Sequence, residues 1–217
     1  MNSDDASRVT DNQPGEQYDI GSDLGIQTDR PAYSLLTTEL MGDQEYYIKM
    51  KSLNIEQFRF VADILHRIKT SDEPIVRFLS GGAGVGKTHT THMVYATLAR
   101  HFHRQAGENP DLTCILKMAP TGKAAYLMRG DTIHASLLIP VNQSFQYKSL
   151  TSDVLNSVRL KLRRLKFIII DEVSMVGFRM LNFINQRLKD IMGSSQDFGG
   201  VSVIFIGDLF QLPPVCD

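Results

Sequence analysis

A glycine-rich segment that ends in lysine and threonine carries the strongest chemical signal in the chain. It comprises Gly81, Gly82, Ala83, Gly84, Val85, Gly86, Lys87 and Thr88. The apolar run Ile75–Leu79 precedes it and a helical pattern follows, which is the context of a phosphate-binding loop rather than of a simple turn. Glycines let backbone N–H groups converge on a phosphate, and the helix N-terminus adds positive charge. We therefore expect Lys87 to reach the outer phosphates of ATP and Thr88 to hold Mg²⁺.

Two adjacent carboxylates follow a second apolar run. Lys166–Ile170 predicts a buried strand that delivers Asp171 and Glu172 at its carboxyl end. By itself such a pair is common at the start of a helix. About ninety residues after a phosphate-binding loop, it predicts that Asp171 binds Mg²⁺ and that Glu172 deprotonates the attacking water.

A third polar segment follows the last apolar run. Gly207–Pro214 begins after the strand predicted over Val201–Ile206 and contains Gln211. In nucleotide-binding proteins with an inserted strand, this strand lies between the strand that precedes the glycine-rich loop and the strand that precedes the carboxylates. Gln211 is therefore expected to face the γ-phosphate. A proline-terminated turn without function is the alternative if the segment is considered alone.

Two further segments have the chemistry of a nucleic-acid contact. Ala119–Ala125 places Thr121, Gly122 and Lys123 where a strand meets a helix, which suits a backbone phosphate. Thr132–Ala135 contains His134, a residue type that is more often packed than functional. Gln57, at the start of a predicted helix, has a side-chain amide that can both donate to and accept from adenine.

Some residues have two interpretations from sequence. His89, His92, His101 and His103 share one helical segment, but their spacing matches no known zinc site. Phe145 and Tyr147 lie in a polar insertion over 139–156, where aromatic rings either stack on bases or anchor the loop.

The alternation of strand and helix patterns predicts an α/β fold. Continuous apolar strands between helices indicate a parallel sheet covered by helices on both faces, with ligands bound at the strands' carboxyl ends. A second strand is expected over Leu112–Met118, and helices over 88–103, over 122–128 and around the stripe Phe58, Val61, Leu65 and Ile68, with Asn54 as N-cap. Another helix is marked by Phe178, Leu181, Leu188 and Ile191.

Charge is distributed unevenly along the 217 residues. Residues 1–30 contain seven acidic and two basic residues, and we expect residues 1–45 to be a flexible acidic tail before a domain over 46–217. Residues 100–166 contain eleven Lys or Arg and four acids, which suits an anionic polymer, although a solvated surface has the same composition. Two cysteines make no disulfide framework, and no apolar run is long enough to span a membrane.

Taken in order, these segments resemble the petite-integration-frequency (PIF) family of superfamily-one DNA helicases, relatives of RecD. The resemblance rests on Gln57, 81–88, 119–125, 132–134, Asp171–Glu172 and 207–215. The sequence is especially similar to family members carried by rolling-circle transposons of eukaryotes. It implies a RecA-like P-loop domain that uses ATP and Mg²⁺ to move 5′ to 3′ on single-stranded DNA. It also implies a nuclear location and roles in DNA repair, recombination and telomere maintenance.

By the same resemblance, Lys87, Thr88, Asp171, Glu172 and Gln211 serve ATP, whereas Thr121, Gly122, Lys123 and His134 lie along the DNA. The family has a second RecA-like domain that supplies arginines to the nucleotide, and the sequence to Asp217 does not include one. Two alternatives stay open: a transposon-derived remnant that binds nucleotide without catalysis, and an ATPase that acts on protein.

Overall fold

A computed structural model describes residues 40–103, 113–140, 147–211, 213 and 214. Within these ranges the helices are α1 (Asp43–Lys51), α2 (Ile55–Thr70), α3 (Lys87–His103), α4 (Gly122–Leu127), α5 (Ile133–Leu137), α6 (Ser152–Leu162) and α7 (Phe178–Met192). The strands are β1 (Val76–Ser80), β2 (Ile115–Ala119), β3 (Asp131–Thr132), β4 (Phe167–Ile170) and β5 (Ser202–Gly207). Short 3-10 turns span Val173–Met175 and Asp197–Gly200. Most of the predicted acidic tail lies outside the described residues, and α1 begins just before the predicted boundary at 46.

The five strands form one parallel sheet with the order β1-β5-β4-β2-β3. The last strand in the chain, β5, is therefore inserted between β1, which leads into the glycine-rich segment, and β4, which leads into the carboxylate pair. This confirms the predicted position of the inserted strand. Because all strands run in the same direction, the segments that follow them emerge at one edge of the sheet.

Side chains alternate between the two faces of the sheet, and helices cover both. Ile168 and Ile170 of β4 pack with residues of α6 and α7, whereas Phe167 and Ile169 pack with residues of α2, α3 and α4. All four β4 side chains are buried. The continuous apolar run of β4 is explained by this two-sided burial. None of the described helices has the length and apolar character needed to cross a bilayer.

Helix α2 begins with a capping box. The Asn54 side chain accepts from the Gln57 backbone N–H, and the Gln57 side chain accepts from the Asn54 backbone N–H. This confirms Asn54 as the N-cap. The predicted apolar stripe is only partly correct, because Val61 and Ile64 are the buried residues of α2, whereas Phe58 is 48% exposed.

The predicted coverage of the strands fails at β1. This strand lies at one edge of the sheet, and Val76 and Phe78 are 48% and 40% exposed. Strand β2 is also displaced from its prediction, since it spans Ile115–Ala119, and Leu112 is outside the described residues. In α7, Phe178 is 82% exposed although it fits the apolar spacing, because the helix buries its face only from the second turn onward.

The region predicted as a polar insertion is partly helical. Helix α6 begins at Ser152, and Tyr147 lies ahead of it with its ring 4.9 Å from that of Phe183 in a T-shaped arrangement. Arg187, 1% exposed, packs its guanidinium against both rings and donates from Nη2 to the Lys148 carbonyl at 3.2 Å. Tyr147 therefore anchors the chain ahead of α6, which favours the loop-anchoring interpretation. Phe145 is outside the described residues.

The turn before β5 depends on glycine. Gly199 has a φ of +67°, and a Cβ there would lie 2.5 Å from the Leu188 carbonyl oxygen. The Phe198 N–H donates to the Asn185 side chain at 2.7 Å. These contacts hold the turn directly against α7 and set where β5 enters the sheet.

Candidate nucleotide and nucleic-acid site

The glycine-rich segment forms the loop between β1 and α3, as predicted. Gly86 has a φ of +87°, a left-handed conformation that side-chain-bearing residues rarely adopt. A Cβ on Gly86 would also lie 2.6 Å from Gln57 Nε2. At the same point, Gln57 Nε2 donates to the Val85 carbonyl at 3.0 Å. The loop is thus held from outside by the first turn of α2.

Lys87 is the first residue of α3, and its side chain folds back over the loop. Its Nζ donates to the carbonyl oxygens of Gly81 and Gly82 at 2.7 and 2.8 Å. Thr88 follows at the helix start and is exposed. The ammonium and the hydroxyl are therefore at the mouth of the loop, beside backbone N–H groups of the first helical turn that have no intrahelical acceptor.

The carboxylate pair follows β4 as predicted. The Asp171 N–H donates to the Met118 carbonyl of β2 at 3.0 Å, and Asp171 Oδ1 accepts from the Glu172 N–H at 2.9 Å. Burial raises the pKa of Asp171 above its usual range, and the Glu172 N–H and the Lys87 charge act in the opposite direction. Lys87 therefore acts on Asp171 across the carboxyl end of β5, the strand inserted between β1 and β4.

Glu172 has a backbone conformation that the sequence did not indicate. Its φ and ψ are +51° and +44°, in the left-handed region, immediately before the 3-10 turn. A non-glycine residue held there costs free energy and is common at functional sites. The conformation turns the chain between the end of β4 and the 3-10 turn.

Strand β5 brings the third polar segment to the same edge. The Gly81 N–H donates to the Gly207 carbonyl at 3.3 Å, which joins the ends of β1 and β5. A Cβ on Gly207 would meet the Val173 backbone nitrogen at 3.0 Å, so β5 also approaches the turn after the carboxylates closely. The exposed Gln211 follows in a turn in which its N–H donates to the Asp208 carbonyl at 3.0 Å.

These residues fit the phosphates of a nucleotide and Mg²⁺. The left-handed glycines let the loop direct its backbone N–H groups toward a phosphate. Lys87 supplies a cation, which donates to the loop carbonyls in this structure. The Asp171 carboxyl is destabilised in its charged form by burial, and a divalent cation beside it would stabilise that form. Carboxylate and hydroxyl oxygens are the protein ligands that Mg²⁺ prefers.

The segments predicted to contact nucleic acid lie at the same edge of the sheet, next to the candidate nucleotide site. Thr121 caps α4 by accepting from the Ala124 N–H at 3.2 Å, and Thr132 caps α5 by accepting from the Ala135 N–H at 3.2 Å. Parallel pairing of β2 with β3 sets Ala119 opposite Thr132, so the two capped turns are neighbours. Gly122 and Lys123 are exposed at the start of α4.

His134 is partly buried on α5. Burial lowers the pKa of His134 below its usual range, which favours the neutral ring. A neutral imidazole still has one donor and one acceptor. At this position His134 is suited to hydrogen bonding rather than to charge attraction.

The histidines of α3 do not assemble a metal site. Among the described residues there is no cluster of three or more His, Cys, Asp or Glu side chains arranged to hold a metal ion. His89 Nε2 is instead 3.0 Å from the Ser52 hydroxyl, and the His101 ring packs against Phe102 at 5.1 Å. The first contact joins α3 to the end of α1, whereas the second lies within α3.

The order and placement of these motifs agree with a known family. Residues 52–217 match the family model described as PIF1-like helicase. The chain belongs to the PIF1-like helicase family. It is 37% identical over 139 residues to the ATP-dependent DNA helicase Pif1 of Psychrobacter sp. (strain PRwf-1), a match that covers 64% of this chain and 20% of that protein. It is 31% identical over 213 residues to the ATP-dependent DNA helicase PIF1 of Saccharomyces cerevisiae (strain YJM789), covering 92% and 22%.

Solved structures of the PIF1-like family share this fold. The Pif1 helicase from Bacteroides in complex with ADP-AlF3 and ssDNA is 33% identical, with a TM-score of 0.56 over 76% of this chain and 34% of that one. The Pif1 helicase from Candida albicans is 25% identical, with a TM-score of 0.58 over 75% and 34%. The chain thus spans about a fifth to a third of the length of these relatives, and the matched part is the P-loop, RecA-like sheet.

Proposed function

We propose that this chain is the ATP-binding domain of a DNA helicase that couples ATP hydrolysis to movement along single-stranded DNA. One observation carries the proposal. The phosphate-binding loop, the carboxylates and Gln211 leave β1, β4 and β5, while the Thr121 and His134 segments leave the adjoining β2 and β3. Nucleotide and DNA would therefore occupy adjacent parts of one edge. The names of the relatives, ATP-dependent DNA helicases, support the same activity.

The nucleotide contacts follow from the loop. Backbone N–H groups of residues 81–88 would surround the phosphates, and Lys87 would exchange its loop carbonyls for phosphate oxygens. Thr88 and Asp171 would hold Mg²⁺, which neutralises charge on the phosphates when bound. Gln57 would contact the adenine edge with the donor and acceptor capacity that its two present hydrogen bonds leave over.

Hydrolysis would depend on Glu172 and Gln211. Glu172 would accept a proton from the attacking water, and Gln211 would contact the γ-phosphate with an uncharged amide. A second RecA-like domain would supply arginines that stabilise the transferred charge, a contribution of about 10³–10⁵ in rate in other NTPases. Translocation would require two such domains that open and close on each other. We therefore expect this chain by itself to bind ATP, to turn it over slowly and not to unwind DNA.

The DNA track would run over the capped turns. Thr121, Gly122 and Lys123 would contact a backbone phosphate, and neutral His134 would donate or accept a hydrogen bond there. By family, the full protein would move 5′ to 3′ and act in DNA repair, recombination and telomere maintenance. By the same family resemblance, the nucleus is the expected location.

The test is ATP binding and hydrolysis by this chain with and without single-stranded DNA, beside Lys87→Ala. We expect ATP binding by the unaltered chain and its loss in Lys87→Ala, because the phosphates lose their cation. Unchanged ATP affinity in the variant would overturn the phosphate-loop assignment.

Turnover distinguishes the remaining possibilities. Hydrolysis that DNA stimulates and that Lys87→Ala lacks would mean that one domain already couples the two ligands. ATP binding with no response to DNA, and no DNA binding, would favour a nucleotide-binding module without helicase activity.

A further inference from the structure

We propose that Tyr126 is a stacking platform for a base of single-stranded DNA, adjacent to the phosphate contact at Thr121 and Lys123. The inference rests on the proposed function and extends its DNA track. Tyr126 is 66% exposed on α4, and the next residue, Leu127, is 60% exposed. The opposite face of the helix is closed, because Ala125 and Met128 are 3% and 1% exposed. A six-residue helix thus presents a large aromatic ring to solvent at the edge where the DNA segments meet.

The position of Tyr126 relative to Lys123 suits a nucleotide. The two residues are three apart on α4, which places them on one face with their Cβ atoms about 5–6 Å apart. One nucleotide offers an anionic phosphate and a flat base, and this face offers a cation and a flat ring. Base stacking on aromatic side chains beside a basic groove is how proteins bind single strands without sequence preference.

The helix itself is fixed, so the ring is presented from a defined place. Thr121 caps its first turn, and the Gly130 N–H donates to the Ala125 carbonyl at 2.9 Å, which closes its last turn. A Cβ on Gly130 would lie 2.4 Å from the Lys117 carbonyl oxygen, so this turn is pressed directly against β2. Helix α4 therefore has a fixed position relative to the edge of the sheet at which the carboxylates also lie.

The occupant that this face favours is single-stranded nucleic acid rather than a protein. Lys123 and Arg129 lie close to Tyr126 in the chain, and the stretch 100–166 that contains α4 has eleven Lys or Arg and four acids, a composition that complements a polyanion. The exposed apolar part of α4 is limited to Tyr126 and Leu127, which is too little to be a stable protein interface by itself. Stacking needs only one ring.

The test measures the affinity of the chain for a short single-stranded oligonucleotide at several salt concentrations. We expect Tyr126→Ala to weaken binding roughly five- to one-hundredfold, the range for one stacked base. Its slope of log affinity against log salt should equal that of the unaltered chain, since no phosphate contact is lost. Lys123→Gln should instead reduce the slope by about 0.7. Tyr126→Phe, which keeps the ring, should bind as the unaltered chain does.

Two controls make the result specific. Tyr47, 58% exposed on α1, is a matched tyrosine outside the track, and Tyr47→Ala should leave DNA affinity unchanged. In a series of oligonucleotides, a single abasic site is placed at successive positions along the strand. At one position the abasic site should weaken binding to the unaltered chain. At that same position it should not weaken binding to Tyr126→Ala any further.

Two results would overturn the Tyr126 inference and leave the proposed function intact. In the first, Lys123→Gln weakens binding while Tyr126→Ala does not. In the second, the effects of Tyr126→Ala and of the abasic site are independent at every position. The Tyr126 inference would also be overturned if Tyr126→Ala weakened binding to a protein partner but not to single-stranded DNA. If the unaltered chain binds no single-stranded DNA, the proposed function fails with it.

Discussion

The side-chain amide of Gln57 joins the start of α2 to the phosphate-binding loop. Its Nε2 donates to the Val85 carbonyl at 3.0 Å, and its Oε1 accepts from the Asn54 N–H at 3.0 Å. One residue therefore both caps a helix and positions the loop. Each end of the amide retains capacity for a further hydrogen bond, so contact with adenine is compatible with both.

Gln57→Glu separates these roles. A carboxylate still accepts from the Asn54 N–H, but it cannot donate to the Val85 carbonyl. We expect thermal stability to be kept and the affinities for ATP and GTP both to fall about two- to tenfold, the effect of one lost hydrogen bond to the loop. The affinity for ATP should fall further, because the side chain can no longer donate to adenine. Titration of each nucleotide is the measurement. Loss of ATP affinity alone would assign Gln57 to base recognition and not to the loop.

Glu172 combines a chemical role with a left-handed backbone, and two substitutions distinguish them. Glu172→Gln keeps the shape, so ATP binding and stability should be retained and any turnover lost. Glu172→Gly also removes the steric cost of a φ of +51°, so the free energy of unfolding should rise by on the order of 0.5 kcal/mol. Denaturant titration and a hydrolysis assay measure both effects. If Glu172→Gln abolishes ATP binding, Glu172 is structural.

Asp131 predicts a pH dependence of stability. Burial raises the pKa of its carboxyl to about 6, although the Lys161 charge acts to lower it. Between pH 4 and 6 the folded protein holds this proton more tightly than the unfolded chain, so stability falls as pH rises through that window. We expect Asp131→Asn to reduce this fall and to stabilise the protein at pH 7 by on the order of 1 kcal/mol. The measurement is the free energy of unfolding in urea at pH 4.5, 5.5 and 7. An unchanged pH dependence in the variant would place the titration elsewhere.

The local elements could be predicted because each depends on short-range patterns. The apolar run of β4 and the N-cap Asn54 indicate where these elements begin, and β4 and α2 start within one residue of those positions; the capping role of Gln57 was not predicted. The glycine-rich segment likewise specifies a loop between a strand and a helix. The sequence failed at Val76, Phe78 and Phe178, where apolar residues are exposed. Periodicity shows which residues share a face but not whether another element covers it.

What the sequence determined by itself was the chemistry and the family: a phosphate-binding loop, a carboxylate pair and the ordered motifs of a PIF1-like helicase. Tertiary structure decided which of these groups meet. Pairing of β5 between β1 and β4 joins Gly81 to Gly207, and the Asp171 N–H reaches the Met118 carbonyl only because β2 pairs with β4. It also decided the Gln57 contact with Val85, the left-handed Glu172 and the exposure of Tyr126. Each depends on contacts between segments distant in the chain or on their packing, and no local pattern of residue types encodes those distances.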